Sequence, residues 1–549
     1  MALPSEGKNS FWGERMFASY KSIQETCAFE KLSELAQSPY DLTQPGALQA
    51  DNRLQRYQVA GQAFKLFYAT EQVDDRVLAG LQAVADECQL VSQYRAMRTG
   101  AVMNKIDGFV SENRRVLHTA TRDLFSGEPA EASMNSRAKR ELEKLSHFLD
   151  ALDAGEIVNE AGEAFTTIVQ VGIGGSDLGP RAVYEALKSY TIVGRRAAFI
   201  SNVDPDDVSM ALADLDLGKT IFNIVSKSGS TLETVTNEAF VRRALLENGY
   251  DSARHCISIT GEGSPMDDPD SYLASFYLYD CIGGRYSTTS MVGCVLLGFT
   301  LGFEQVMAFL RGAANMDNSA DEVDILKNIP LLMALIGIWN RNFLDLSSLA
   351  IIPYSQALYR FPAHLQQCDM ESNGKSVDRQ GRAVQGKTGP IIWGETGSNS
   401  QHAFFQHIYQ GTSPVPIEFI GFSESQRGKD IEVQGCTSQQ KLLANLFAQM
   451  VALACGKKDQ NLNKFFAGNR PSCLLFAKKL TPYVMGSLLA CYEAKIVFQG
   501  FAWNINSFDQ EGVQLGKELA KRFLREIGGE EEGFHGIESA FLNEVQRGV

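Results

Sequence analysis

Short apolar runs recur along the middle of the chain, with helical text between them. Thr167 to Val171, Ala197 to Ile200, Thr220 to Val225 and His255 to Ile259 read as one set of strands. Leu349 to Pro353, Pro390 to Trp393, Ile417 to Phe422 and Ser472 to Phe476 read as a second set. Strands alternating with helices predict parallel sheets with helices on both faces, an α/β architecture. Leu81 to Met97 has helical spacing, and the text from Met1 to about Ala164 reads as mostly helical. Gly302 to Phe343 reads as a helical connection between the two strand sets. Tyr354, Leu358, Phe361, Leu365 and Cys368 form a stripe that predicts one buried helix face ending at Glu371, with a kink or break at Pro362. Ser400 reads as the N-cap of a helix that carries His402 in its first turn, buries Phe404, Phe405 and Ile408, and ends near Gly411. Leu515, Leu519 and Phe523 share a face of a last helix, with Lys517 on another face, and that helix stops at Gly528-Gly529 before the acidic Glu530-Glu531-Glu532.

The expected division is a helical region at 1–164, a first α/β domain at 165–300, a helical linker at 301–345, a second α/β domain at 346–500 and a helical C-terminal segment at 501–549. With 549 residues, 44% hydrophobic and 21% charged, the chain has the composition of a globular protein too long for one core. A net charge of −14 argues against a general nucleic-acid binder and means that an anionic ligand must meet a local positive site. No apolar run reaches membrane-spanning length, and Met1 to Tyr20 has no signal-peptide core. Ten scattered cysteines without a C-x-x-C pair favour free thiols in a reducing cytoplasm. No His/Cys spacing suits zinc, so neither a metal nor another cofactor is expected.

Candidate chemistry gathers at strand ends. Val171 runs into Gly172-Ile173-Gly174-Gly175-Ser176-Asp177, a strand–glycine turn–helix junction of the kind that holds an anion on backbone N–H groups. Asp177 occupies the third glycine position of a dinucleotide fingerprint, which excludes that motif. Val225 runs into Ser226-Lys227-Ser228-Gly229-Ser230-Thr231, where hydroxyls, N–H groups, a helix dipole and one ammonium suit a phosphomonoester. Both loops fall at the carboxyl edge of the first sheet, where ligands of open α/β sheets sit. Cys281-Ile282-Gly283-Gly284-Arg285-Tyr286-Ser287 places a fixed positive charge after two glycines, suited to an oxyanion. Glu371 and His402 bracket a glycine-rich segment as an acid/base pair. The arginine-dense Asn113 to Arg122 reads physically as a charged helix face, Gly468-Asn469-Arg470-Pro471-Ser472 as a turn and Lys517 as a surface lysine.

These words, Met370-Glu371-Ser372-Asn373-Gly374-Lys375, Gly283-Gly284-Arg285-Tyr286-Ser287, Arg115-Val116-Leu117-His118 and Phe508-Asp509-Gln510-Glu511-Gly512-Val513, resemble those of the glucose-6-phosphate isomerase (phosphoglucose isomerase) family, bacterial type. They occur in the family's order from about Arg114 to Lys517. The resemblance implies two sugar-isomerase (SIS) type domains. It also implies a metal-free aldose–ketose isomerase that interconverts glucose 6-phosphate and fructose 6-phosphate, in glycolysis and gluconeogenesis. It implies Glu371 as the base, Arg285 as the enediolate partner, and His402 and Lys517 as ring-opening groups. Gly175, Ser176, Ser226, Lys227, Ser228 and Thr231 would hold the phosphate, with Gln510 nearby. It further implies a cytoplasmic homodimer in which His402 enters the partner's site. Gln514 stands where the family usually has Glu. The alternatives are a non-catalytic SIS-type sugar-phosphate sensor and a related aminosugar-phosphate isomerase.

Overall fold

A computed structural model gives the structure of residues 20–528 and 537–547. The stretch of residues 1–19 and the acidic Glu530-Glu531-Glu532 lie outside the described residues. The chain divides into two units, one running to Ser507 and one from Phe508 onward.

Two short antiparallel strands come first, β1 (Gln58–Ala60) and β2 (Lys65–Phe67). The first parallel sheet follows: β3 (Thr167–Val171), β4 (Arg196–Ile200), β5 (Thr220–Ser226), β6 (Cys256–Thr260) and β7 (Ala274–Tyr277). Its order is β4-β3-β5-β6-β7, all parallel. Every residue of β3, β5 and β6 is buried, because helices cover both faces and the central strands have no solvent side. The second set comprises β8 (Ser348–Pro353), β9 (Ile391–Trp393), β10 (Ile417–Phe422), a two-residue-per-strand hairpin β11 (Glu432–Val433) and β12 (Cys436–Thr437), and β13 (Ser472–Ala477). The second sheet has the order β1-β2-β13-β10-β8-β9. The strands expected from the sequence are present within one residue at each end.

Several expectations need correction. Before Thr167, where mostly helical text was expected, the described residues also carry the short strands β1 and β2, and β2 pairs antiparallel with β13 to extend the second sheet. β7 was not expected: its residues are mostly half-buried, so it lacks the apolar run that marks a buried strand. Leu81 to Met97 is split between helices Asp75–Glu87 and Leu90–Arg98, with Gln89 at φ +54° between them. The arginine-dense word is not a charged helix face. It forms a bridge at Arg114 and a 3₁₀ turn at His118–Thr121. Arg122 is fully buried and donates to Asp317 (2.6 Å) and Glu493 (2.5 Å). Two carboxylates on different helices thus hold one guanidinium in the core, an arrangement that is stable only when its hydrogen bonds are made.

The core of the first unit is organised by the helix Pro482–Ala502, in which every residue from Met485 to Ala502 is buried. It crosses the helix Phe303–Ser319 at backbone contact. A Cβ on Gly486 would lie 1.8 Å from the Phe309 carbonyl oxygen, and one on Gly312 would lie 1.8 Å from that of Tyr483. Among the described residues, no helix is long and apolar enough to cross a membrane. All ten cysteines are free.

Beneath the second sheet, Glu71 is 2% exposed, and its Oε2 accepts from Asn340 Nδ2 at 3.1 Å. Burial pushes its carboxyl up to about 8, with the nearby Glu418 adding to the shift. Glu418 itself is bonded by Lys495. The folded state therefore holds a proton on Glu71 that the unfolded chain releases near pH 4.5. The contribution of Glu71 to stability therefore falls as pH rises from there to about 8 and then levels off. Replacing Glu71 by Gln should flatten that decline, raising unfolding free energy at pH 8.5 by on the order of 4 kcal/mol relative to pH 5. Denaturant titrations at the two pH values check this; parallel pH profiles for both proteins would refute it.

Candidate active site

In the first sheet the chain leaves β3 toward β4 on one side and returns to β5 on the other. The carboxyl ends of β3 and β5 therefore flank the crevice where open α/β sheets take ligands. After β3, Gly174–Ser176 makes a 3₁₀ turn with Gly174 at φ +61°. Gly175 has no room for a side chain, since a Cβ there would lie 2.2 Å from the carbonyl carbon of Gly284. The two glycine words of the sequence thus interlock backbone to backbone, which places Arg285 beside the β3 loop. Gln170 Nε2 donates to Ser176 O (2.9 Å) and Val292 O (3.1 Å), and Asn223 Nδ2 donates to Gln170 Oε1 (2.7 Å). This buried amide pair ties the turn to the sheet, and neither residue stood out in the sequence because each looks like one polar lapse in an apolar strand.

After β5, the Ser226 and Thr231 hydroxyls are 2.9 Å apart. Ser230 donates to Ser228 Oγ from N (3.3 Å) and from Oγ (3.1 Å), and Gly229 sits at φ +66°. Thr231 is the N-cap of the helix Leu232–Glu247 but makes no side-chain capping bond. The first-turn N–H groups of that helix therefore lack a side-chain acceptor. Lys227 Nζ donates to Ile282 O at 3.2 Å. Burial, with the Arg114 guanidinium adding to it, pushes its amine below the usual lysine range. A cavity of about 650 Å³ opens beside this loop, lined by Lys227 and Ser228 together with Arg114, Arg115 and Arg137. Glu262 and Asp280 also line it, and Arg114 pairs with Glu112 (2.7 Å) and Asp280 (3.6 Å), so the four cations of the wall outnumber its two carboxylates and leave a locally positive site.

The stripe leading to Glu371 is buried throughout but is not one helix. Tyr354 follows β8, Leu358 closes a 3₁₀ turn, and a helix begins at Phe361 with Pro362 in its first turn. Pro362 starts the helix rather than kinking it, since its missing N–H is unneeded there. Gln366–Met370 then widens into a π turn before Glu371–Asn373, a distortion frequent at functional sites. Glu371 is partly exposed, and its buried Oε2 lies 3.1 Å from Arg285 Nη1 without hydrogen-bond alignment. Arg285, 2% exposed, is fixed by donating Nε to Ser372 Oγ (2.7 Å) and Nη2 to Ser507 O (2.7 Å). Tyr286 OH meets the same Ser372 hydroxyl at 2.8 Å and its ring stacks on His118. A carboxylate facing a fixed guanidinium beside a phosphate-type loop can move a proton and balance the resulting negative charge.

One candidate is added. Gln367, four residues before Glu371, has a buried Oε1 with no hydrogen-bond partner, and its Nε2 approaches Gly174. The i, i+4 spacing from Glu371 was the available signal.

His402 lies in the 3₁₀ turn Asn399–His402, exposed, with no hydrogen bond to Glu371 or Arg285. Ser400 is not an N-cap, because it sits inside that turn with its Oγ buried and unpartnered. The helix that follows is Phe405–Gln410, with Phe405 and Ile408 buried and Phe404 half-buried. Gln510 and Lys517 belong to the second unit, where the helix Gln514–Ile527 follows a turn at Glu511–Val513. Lys517 is exposed on it, and Leu515 of the expected apolar face is 67% exposed.

The family model for phosphoglucose isomerase matches residues 67–538. The chain belongs to the phosphoglucose isomerase family. Relatives named glucose-6-phosphate isomerase include that of Protochlamydia amoebophila, 52% identical over 505 residues, which cover 91% of this chain and 92% of the relative. Another, from Chlamydia caviae, is 50% identical over 515 residues, covering 93% and 96%. The crystal structure of a glucose-6-phosphate isomerase from Chlamydia trachomatis superposes with a TM-score of 0.91 at 46% identity, covering 96% of this chain and all of that one. Family membership thus extends across both sheets.

Proposed function

We propose that this protein is a glucose-6-phosphate isomerase that interconverts glucose 6-phosphate and fructose 6-phosphate. The observation that carries the reading, with the relatives' identity, is the Glu371 carboxylate facing a buried, doubly anchored Arg285 beside the interlocked glycine loops. In this reading Gly175, Ser176, Ser226, Lys227, Ser228 and Thr231 hold the phosphate, which gives a flexible sugar a fixed orientation. Glu371 takes the proton from C2 and returns it to C1, through a cis-enediol or enediolate whose charge Arg285 balances. Gln367 orients the substrate between Glu371 and the β3 loop. His402 and Lys517 handle ring opening at the ring oxygen and the C1 hydroxyl, with Gln510 near the phosphate. His402 comes from the partner subunit of a homodimer, which its exposed turn leaves free to do. The same reading puts the enzyme in glycolysis and gluconeogenesis in the cytoplasm, in keeping with ten free thiols. A sugar-phosphate sensor would need the phosphate loops but not the Glu371–Arg285 pair.

The test is an assay of fructose 6-phosphate conversion, coupled to a glucose-6-phosphate dehydrogenase, with and without a chelator. Because Glu371 and Arg285 supply the base and the positive charge, activity should be present and unchanged by chelation. No turnover, or turnover lost in chelator and restored by a divalent metal, would overturn the mechanism.

Lys227→Ala should raise KM for the phosphorylated sugar by roughly 10- to 100-fold, the scale of a charged hydrogen bond. Steady-state kinetics check this; an unchanged KM would place the phosphate elsewhere.

A further inference from the structure

The second sheet repeats the topology of the first. Strands β9-β8-β10-β13 stand in the order of β4-β3-β5-β6, and all pairs are parallel. It therefore has its own crevice between the carboxyl ends of β8 and β10, at the position that β3 and β5 use for the phosphate-type loops. That crevice holds a separate cavity of about 510 Å³, which shares no lining residue with the loops after β3 and β5. Ser355, just past β8, and Ser425, just past β10, line it. Ser189 contributes an Oγ that is buried and has no hydrogen-bond partner. The loop after β10 is pinned in place, because Gln426 Nε2 donates to Ala186 O (2.7 Å) and Leu480 O (3.0 Å).

The charges on this wall do not cancel. Its two carboxylates are each matched, Glu185 by Lys188 at 2.7 Å and Glu424 by Lys478 at 3.3 Å. Arg427 and Lys429 also line the cavity, and among the described residues neither makes a hydrogen bond or an ion pair. Two unmatched cations, two serines at strand ends and an orphan buried hydroxyl are the donor set that a dianionic phosphate group needs. We propose that the crevice between β8 and β10 is a second binding site for a small phosphomonoester, separate from the site at β3 and β5.

Equilibrium dialysis of the full chain against radiolabelled orthophosphate tests this. The wild type should bind two phosphates per chain. Ser226→Ala/Lys227→Ala should keep the site at β8 and β10, and Arg427→Ala/Lys429→Ala should keep the other. In the latter variant affinity at the second site should fall roughly tenfold or more, with isomerase turnover unchanged. The charge reversal Arg427→Glu/Lys429→Glu should abolish the second site. Both cations are exposed, so these replacements leave the core untouched. A single phosphate per chain, lost in the Ser226→Ala/Lys227→Ala protein and unaffected by charge reversal, would overturn the proposal while leaving the isomerase reading intact.

Discussion

Glu371→Gln should lower turnover by about 100-fold or more, the scale of losing a general base, while leaving sugar-phosphate binding in place. The amide keeps the size and polarity of the carboxylate. It can still lie against Arg285 Nη1, now 3.1 Å from Glu371 Oε2, but it cannot accept the C2 proton. Ser372 and Ser507 O continue to hold the guanidinium, so the electrostatic partner stays fixed. The loops after β3 and β5 are untouched, so KM should stay within a few-fold. Steady-state kinetics and direct titration of the ligand separate the two effects. Near wild-type turnover would remove Glu371 from the mechanism and turn attention to Glu233 or Glu395.

The second large effect tests the proposed sharing of each site between two subunits. His402→Ala alone should be strongly impaired on cyclic sugar, because in the proposed mechanism ring opening loses its acid/base group. Mixing His402→Ala subunits with Glu371→Gln subunits should nevertheless restore activity. In a two-fold dimer that exchanges histidines, each hybrid has one doubly defective site and one intact site. Random exchange makes about half the dimers hybrids, so activity should recover to about a quarter of wild type. With His402 acting in its own subunit, both hybrid sites would be defective and no recovery would follow. Subunit exchange followed by assay distinguishes the two; absence of recovery contradicts the shared site.

Legibility in the sequence followed the physics of each element. The central strands were readable because a strand buried on both faces, as β3, β5 and β10 are at every residue, is mostly apolar, with only single polar residues such as Gln170, Asn223 and Glu418 inside the run. The helix Pro482–Ala502 was not, since an element buried on every side has no periodicity to read. β1 and β2 were too short to carry a pattern. Pro362 and Ser400 were placed in the right neighbourhood but in the wrong structural role, because local preference allows more than one solution and packing selects among them. Arg122 looked like surface charge, and only the fold brings Asp317 and Glu493 to it. Of the candidate site, Arg285 and Glu371 were named from the sequence and meet in space. The contact that joins the Arg285 turn to the loop after β3, Gly175 against Gly284, is a tertiary fact with no local signature beyond two glycines. Ser372, the anchor that both Arg285 and Tyr286 share, looked like an ordinary neighbour of Glu371.

The central claim is that one carboxylate moves a proton between C2 and C1, and solvent isotope incorporation tests it most directly. Fructose 6-phosphate is converted in deuterated water, and the glucose 6-phosphate formed is read by proton NMR at C2. A proton held on Glu371 exchanges in part with solvent and returns in part, so the wild type should give product carrying both deuterium and substrate-derived hydrogen at C2. Glu371→Gln should give neither above background. Transfer with no solvent exchange by the wild type, together with undiminished transfer by the glutamine variant, would contradict a Glu371-centred mechanism.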